Sequence, residues 1–176
     1  MLVVSPQVVD MPPGVTVARR PARLADLDGM ALAVCASGDA AANAMLAREA
    51  QRRGVLVNVV DDPDAGSFAV PAVLRRGRLQ VGVSTGGASP LLARRLRDEL
   101  AGRIGDDHAA LVDLLGELRR AWEPRAIAAD VAPAARRVAW QAVLGLPLLE
   151  LLQRGDVDEA RSRAAAVLED ALAHDH

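Results

Sequence analysis

Two aspartates, Asp61 and Asp62, close the apolar run VLVNVV (residues 55–60), and farther along a Ser84-Thr85-Gly86-Gly87 turn precedes Ser89-Pro90. A carboxylate at the end of a buried strand can accept a proton or anchor a polar ligand. The same two acids can also cap the turn before Pro63. A glycine turn ahead of a helix gathers backbone N–H groups at the positive end of the helix dipole, where an anion can sit. A plain strand-to-helix turn that needs positive φ uses the same residues. Two further apolar runs end in polar groups, at Ser5-Pro6-Gln7 and at Ser37-Gly38-Asp39, and Asn58 lies within the VLVNVV run itself. Arg75, Arg76, Arg78, Arg94 and Arg95 cluster around the glycine turn in sequence; they suit an anionic ligand, and they also suit a solvated face.

Positioning these groups requires a sheet. LVV (residues 2–4), VTVAR (15–19), MALAVCAS (30–37) and VLVNVV (55–60) read as strands, and the segment from Gly38-Asp39 to Gly54 between the last two reads as a helix. Strands alternating with a helix indicate a parallel α/β sheet, whose ligands bind outside the carboxyl ends of the strands. MALAVCAS is apolar throughout, as a strand covered on both faces would be. After Asp62 the pattern changes. SFAVPAVLRR and RLQVGVS form a hairpin about Arg76-Gly77, with Pro71 marking an edge strand or bulge. Ser89-Pro90 opens a helix with Leu91, Leu92, Leu96 and Leu100 as its apolar side. From residue 105 onward only helices are expected, broken near Gly116, Pro124, Pro133, Gly145-Leu146-Pro147 and Gly155. The organisation expected is a parallel α/β part over residues 1–64, a hairpin region over 65–104 and a helical domain over 105–176. An isolated pair of strands is marginal in water, so the hairpin is expected to pair with a second subunit.

The bulk composition narrows the function classes. Half of the 176 residues are hydrophobic but only 2% are aromatic, so the core is aliphatic. The net charge of −2 argues against nucleic-acid binding, which is usually carried by a strongly basic domain. All 21 basic residues are arginine. A single cysteine, Cys35, cannot form an internal disulfide, and no run is long and apolar enough to span a membrane, so a cytoplasmic protein is expected. His108, His174 and His176 lack metal-ligand spacing, and no resident metal is expected. Trp122 and Trp140 are expected in the helical core.

The stretch NVVDDPDAGSFAVPAVLRRGRLQVGVSTGGASPLLARRLRDEL resembles the precorrin-2 dehydrogenase family, the N-terminal module of siroheme synthases. The resemblance rests on the Asn-Val-Val-Asp strand end, the Ser-Phe…Pro unit, the Ser-Thr-Gly-Gly-Ala-Ser-Pro turn and the Leu-Ala-Arg-x-Leu-Arg that follows. It extends more loosely to GELRRAW…ARRVAW. It implies NAD-dependent oxidation of precorrin-2 to sirohydrochlorin, with iron insertion in some members. It also implies a Rossmann-type NAD domain, a dimerisation region with swapped strands, a helical domain and a homodimer. The family's essential aspartate falls on Asp61, which could be the base, steer the substrate or bind a metal during chelation. The NAD contacts fall at Pro6, Gln7 and Val8, at Ser37 and Gly38, and at Asn58. Ser84, Thr85, Gly86 and Gly87 would face the substrate, and Thr85 stands where some relatives carry a phosphorylatable serine. Precorrin-2 bears eight carboxylates, which fits an arginine-lined cleft.

The sequence departs from that pattern at its start. The family opens with a strand and a Gly-rich loop that cradles the pyrophosphate, whereas LVVSP corresponds to the second strand. The Rossmann-type sheet is therefore expected to be N-terminally incomplete and to bind NAD poorly. The alternative reading is a non-catalytic or chelatase-only tetrapyrrole-binding dimer.

Overall fold

The computed structural model describes residues 1–7, 11–60 and 62–173. Strand β1 (Leu2–Val4) pairs in parallel with β2 (Thr16–Ala18), and β3 (Leu32–Cys35) pairs in parallel with β4 (Leu56–Val59). The second pair is joined by helix α1 (Ala40–Arg52), the crossover that parallel neighbours require. Among the described residues the two pairs are separate two-stranded sheets.

Strand β3 is covered on one face only, which corrects the expectation from MALAVCAS. Cys35, Val57 and Val59 pack on Leu46, Ala47 and Ala50 of α1. Strand side chains alternate between faces, so Leu32, Val34 and Leu56 point the other way and stay about half exposed (52%, 54% and 53%). One helix can cover one face, and a wholly apolar run does not reveal which.

Contacts divide the chain into two compact units, residues 1–71 with 84–90, and residues 72–83 with 91–176. The hairpin thus belongs with the helices, and the glycine turn after it belongs with the parallel strands. Strands β5 (Ala72–Arg76) and β6 (Leu79–Val83) are antiparallel, with Arg76 opposite Leu79. Pro71 precedes β5 and does not interrupt it. Gly77 takes φ +53° at the hairpin tip, and a Cβ built there would lie 3.4 Å from the Ala109 Cβ.

The helices are α2 (Pro90–Ala101), α3 (Asp106–Ala128), α4 (Pro133–Leu144), α5 (Leu148–Gln153) and α6 (Val157–Ala173). The turns at Pro133, Gly145–Pro147 and Gly155 fall where the sequence places them. Gly116 and Pro124 do not break α3, contrary to expectation. A mid-helix glycine costs only about 1 kcal/mol and a proline about 3 kcal/mol. The stripe Leu114, Leu118, Trp122 and Ala126 repeats every four residues and is buried along the whole length. It packs on Ala139 and Val143 of α4, Leu148 and Leu151 of α5, and Ala160, Ala164 and Leu168 of α6. Burial of about 1.5–3 kcal/mol per large side chain outweighs the two local penalties. Trp122 is fully enclosed and donates its indole N–H to the Leu168 carbonyl at 2.7 Å. Trp140 packs against it edge-to-face, with centroids 6.0 Å apart. On α2, Ala93 is the buried residue, while Leu91, Leu92 and Leu96 face outward.

Candidate functional site

The candidate residues lie in the first unit, at the carboxyl ends of its strands. Ser5, after β1, donates its backbone N–H to Ala18 of β2 (3.1 Å), and its hydroxyl accepts from the Gln7 N–H (3.2 Å). Pro6 lies within this small turn and is exposed. Val8 lies outside the described residues.

At the end of β3, the turn through Ser37 and Gly38 is fixed from below by Asn43, a buried amide on the first turn of α1. The Asn43 Nδ2 donates to the Ser37 carbonyl (2.9 Å), and its Oδ1 accepts from the Ser37 hydroxyl (2.6 Å) and N–H (3.3 Å). Asp39 caps the helix by accepting from the Ala42 N–H at 3.0 Å. A Cβ at Gly38 would meet nothing within 4 Å, so the backbone there is open to a ligand. Asn43 was not singled out from the sequence; the available signal was a lone amide in the otherwise apolar start of a helix, AAANAMLA.

At the end of β4, the Val60 N–H donates to the Cys35 carbonyl (2.9 Å), which carries the parallel pairing one residue past the strand. Asp61 lies outside the described residues. Asp62 is a turn cap: its Oδ1 accepts from the Ala65 N–H (3.2 Å) across Pro63. Asn58 is buried and commits its Nδ2 to the Phe68 carbonyl at 3.0 Å. Ser67 adds to the same edge, accepting from the Val57 N–H (2.7 Å) through its hydroxyl. This return brings the backbone close to β4 at Gly66. A Cβ there would stand 3.1 Å from the Val57 carbonyl oxygen and 3.3 Å from that of Phe68. Gly66, which no sequence pattern singled out, and Ser67, the serine of the Ser-Phe…Pro unit, therefore hold the chain against β4. Burial against α1 pushes the Cys35 thiol above its ordinary range.

The glycine turn comes back to the same corner. Gly86 and Gly87 take φ +62° and +88°, a left-handed pair that side chains disfavour. The Thr85 hydroxyl accepts from the Ser89 N–H (3.0 Å), the Ala88 N–H donates to the Thr85 carbonyl (3.1 Å), and Ser84 Oγ accepts from the Gly86 N–H (3.2 Å). A Cβ on Gly87 would lie 3.1 Å from Cγ of Pro63, so the glycine is seated directly on the proline that follows the two aspartates. The structure thus brings Ser84–Gly87 together with the acidic end of β4. Among the arginines read as neighbours of that turn, Arg95 pairs with Glu99 at 3.0 Å. Arg78 belongs to the helical unit and lies over α3. Among the described residues no three His, Cys, Asp or Glu side chains come close enough to hold a metal ion.

Residues 1–72 match a family described as "Putative NAD(P)-binding", and residues 76–103 match the central region of sirohaem biosynthesis proteins. The siroheme synthase of Chromobacterium violaceum is 38% identical over 162 residues, which is 91% of this chain and 33% of that protein. The siroheme synthase of Methylococcus capsulatus is 41% identical over 135 residues, 77% of this chain and 28% of that protein. The chain is similar to siroheme synthases over their NAD(P)-binding and central regions. It spans about a third of the length of those siroheme synthases. Its fold matches the solved structure of SirC, a precorrin-2 dehydrogenase, with a TM-score of 0.63 at 23% identity, over 97% of this chain and 80% of that one. The matched NAD(P)-binding region contains every strand end described above. No helix among the described residues is long and apolar enough to cross a membrane.

Proposed function

We propose that this chain oxidises precorrin-2 to sirohydrochlorin in siroheme or cobalamin synthesis, with NAD as the hydride acceptor and Asp61 as the catalytic acid–base group. The observation that carries this reading is the seating of Gly87 on Pro63, because it joins a strand end rich in carboxylates to an anion-binding glycine turn. The relatives support the pathway: they are siroheme synthases, and the matching structure is that of a precorrin-2 dehydrogenase.

The strand ends suit a dinucleotide in two respects. The backbone at Gly38 is unobstructed, and Asn43 holds the Ser37–Asp39 turn rigid, so its groups are preorganised. Asp39, at the start of α1, places a carboxylate where a ribose hydroxyl can donate and where a phosphate would be repelled. Pro6, Gln7, Val8 and Asn58 complete the cofactor side of this proposal. When bound, NAD supplies the site that accepts the hydride. The chain's own task is to take the proton that leaves with it and to hold the substrate. Asp61, next to the Asp62 cap, is the group assigned to that proton. In the Ser84–Gly87 turn the Ser84 hydroxyl and the Gly87 N–H are assigned to substrate carboxylates, while Thr85, whose hydroxyl donates to the Ser89 carbonyl at 3.1 Å, holds the turn in shape. The exposed Leu91 and Leu96 on α2 support assembly as a homodimer.

The test is an anaerobic assay of the purified chain with precorrin-2, followed by absorbance. Sirohydrochlorin should form with NAD, not without it, and Asp61→Asn should slow its formation by about 100-fold or more. Product formation that ignores NAD or survives Asp61→Asn removes this reading. Metal insertion into supplied sirohydrochlorin, with no oxidation of precorrin-2, would establish a chelatase instead.

A further inference from the structure

The helical unit carries a second concentration of charge that the proposed oxidation does not use. Arg78 beside the hairpin tip and Arg119 and Arg120 on α3 line, with Gly116, Glu123 and Pro124, an open groove of about 520 Å³. Its floor is a glycine in mid-helix. A Cβ built on Gly116 would find Arg120 Nη1 at 3.5 Å and Arg78 Nη1 at 3.7 Å, so two guanidiniums from distant parts of the sequence converge on one backbone point. Such convergence is unfavourable unless something negative lies between them.

The nearby acids are engaged elsewhere. Glu117 accepts from Arg161 Nη2 of α6 at 2.7 Å, and Glu123 accepts from Arg136 Nη1 of α4 at 2.7 Å and from the Trp140 indole at 3.4 Å. Several other arginines of this unit are paired, among them Arg95 with Glu99, Arg125 with Glu169 and Arg163 with Glu159; what sets Arg78 and Arg120 apart is their convergence on Gly116. Among the described residues no ion pair involves Arg78, Arg119 or Arg120. A row of unpaired forks over an open, side-chain-free floor differs from an ordinary solvated face, where acids and bases are interspersed.

We infer that this groove is an oxyanion site for a small molecule bearing at least two carboxylate or phosphate groups, gripped by Arg78, Arg119 and Arg120 above Gly116. The guanidinium fork matches both kinds of group in a bidentate manner. The groove lies in the size range of small-molecule sites. Its occupation depends on neither NAD nor Asp61.

Isothermal titration of the full chain with citrate, and separately with inorganic pyrophosphate, tests this directly. At least one probe should bind saturably, one per chain, and more weakly as salt rises. The probe that binds tells carboxylate from phosphate. The double variant Arg78→Gln, Arg120→Gln should lose about tenfold or more in affinity, the scale of one or two charge-assisted hydrogen bonds. Arg95→Gln, an exposed arginine already paired on α2, should change little. Gly116→Leu, which keeps all three arginines and fills the floor, should also abolish binding and decides the matter if the double variant does not fold. Failure of both probes to saturate, undiminished binding in the double or leucine variant, or an equal loss in Arg95→Gln would overturn the assignment.

Discussion

The two units bury apolar surface in different ways. The helical unit closes a core from every side: four helices converge on Trp122, Val143, Leu151 and Leu168, and the largest polar group inside is satisfied by the Leu168 carbonyl. The strand unit closes only one side. Its core is a short list of small residues between α1 and one face of the β3–β4 pair, and the opposite face leaves Leu32, Val34 and Leu56 about half exposed. The strand unit relies instead on polar locks at its strand ends, Asn43 on Ser37, Asn58 on Phe68 and Ser67 on Val57. The difference follows the division of labour proposed above. Rigidity by packing suits the helical part, whereas turns that must present backbone groups to ligands are held by hydrogen bonds.

The comparison can be broken most strongly at Trp122. Replacing it with alanine should destabilise the helical unit by about 3–5 kcal/mol, the usual cost of emptying an aromatic core site. Both tryptophans belong to the helical unit, so the fluorescence of Trp140 reports that unit alone in urea titrations. If the midpoint does not move, the packed-core description of this unit is wrong.

Gly87→Ala attacks the other unit. It forces a side chain into φ +88° and against Pro63, and should cost about 1–3 kcal/mol, since the left-handed region alone is worth roughly 1–2 kcal/mol. Far-UV circular dichroism should register the loss, and sirohydrochlorin formation should fall with it. A variant of unchanged stability and activity would separate the glycine turn from the site.

Acid sharpens the contrast further. Two Arg20 nitrogens hold Asp26 (2.6 and 2.9 Å), whose pKa is lowered to about 2 from 3.8, first by that hydrogen bonding. Arg52 and Arg53 hold Glu49, lowered to about 2 from 4.5. A carboxyl group whose folded pKa is depressed stabilises the fold above its unfolded value and ceases to do so as pH falls through the folded one. The strand unit should therefore lose structure between about pH 4.5 and 2. Arg20→Gln should raise the midpoint of that loss seen by circular dichroism while the tryptophan transition stays in place. A midpoint that does not respond would discount the Arg20–Asp26 pair.

The smallest effect is expected at Gly116. A Cβ there makes only ordinary contacts, so Gly116→Ala should stabilise α3 by about 0.5–1 kcal/mol in the same fluorescence assay. Destabilisation would mean that the groove floor is tighter than its geometry indicates.

Much of the site's framework was legible in the sequence. Asp62, Ser37, Gly38 and the Ser84–Gly87 turn were each recognisable as strand-end or turn residues, and all are found in those roles. Asn43 and Gly66 were not, and the role of Ser67 was not, because each acts on a partner whose position depends on how strands and helix pack. An asparagine inside an apolar helix carries no mark of the backbone it will hold, and Gly66 is favoured because a Cβ there would stand 3.1 Å from the Val57 carbonyl oxygen of β4.

By itself the sequence determined the alternation of strand and helix to residue 60, the hairpin at Arg76-Gly77, the glycine turn and the ends of the last three helices. Those features are local: φ preferences of glycine and proline and the period of apolar residues act over a few positions. Tertiary structure alone decided that α3 runs unbroken through Gly116 and Pro124, and which face of β3 is covered. It also decided that Gly87 meets Pro63 and that Arg78 converges with Arg120. Each of these outcomes sets a local preference of about 1–3 kcal/mol against burial or contact with residues far along the chain, and packing determines the result.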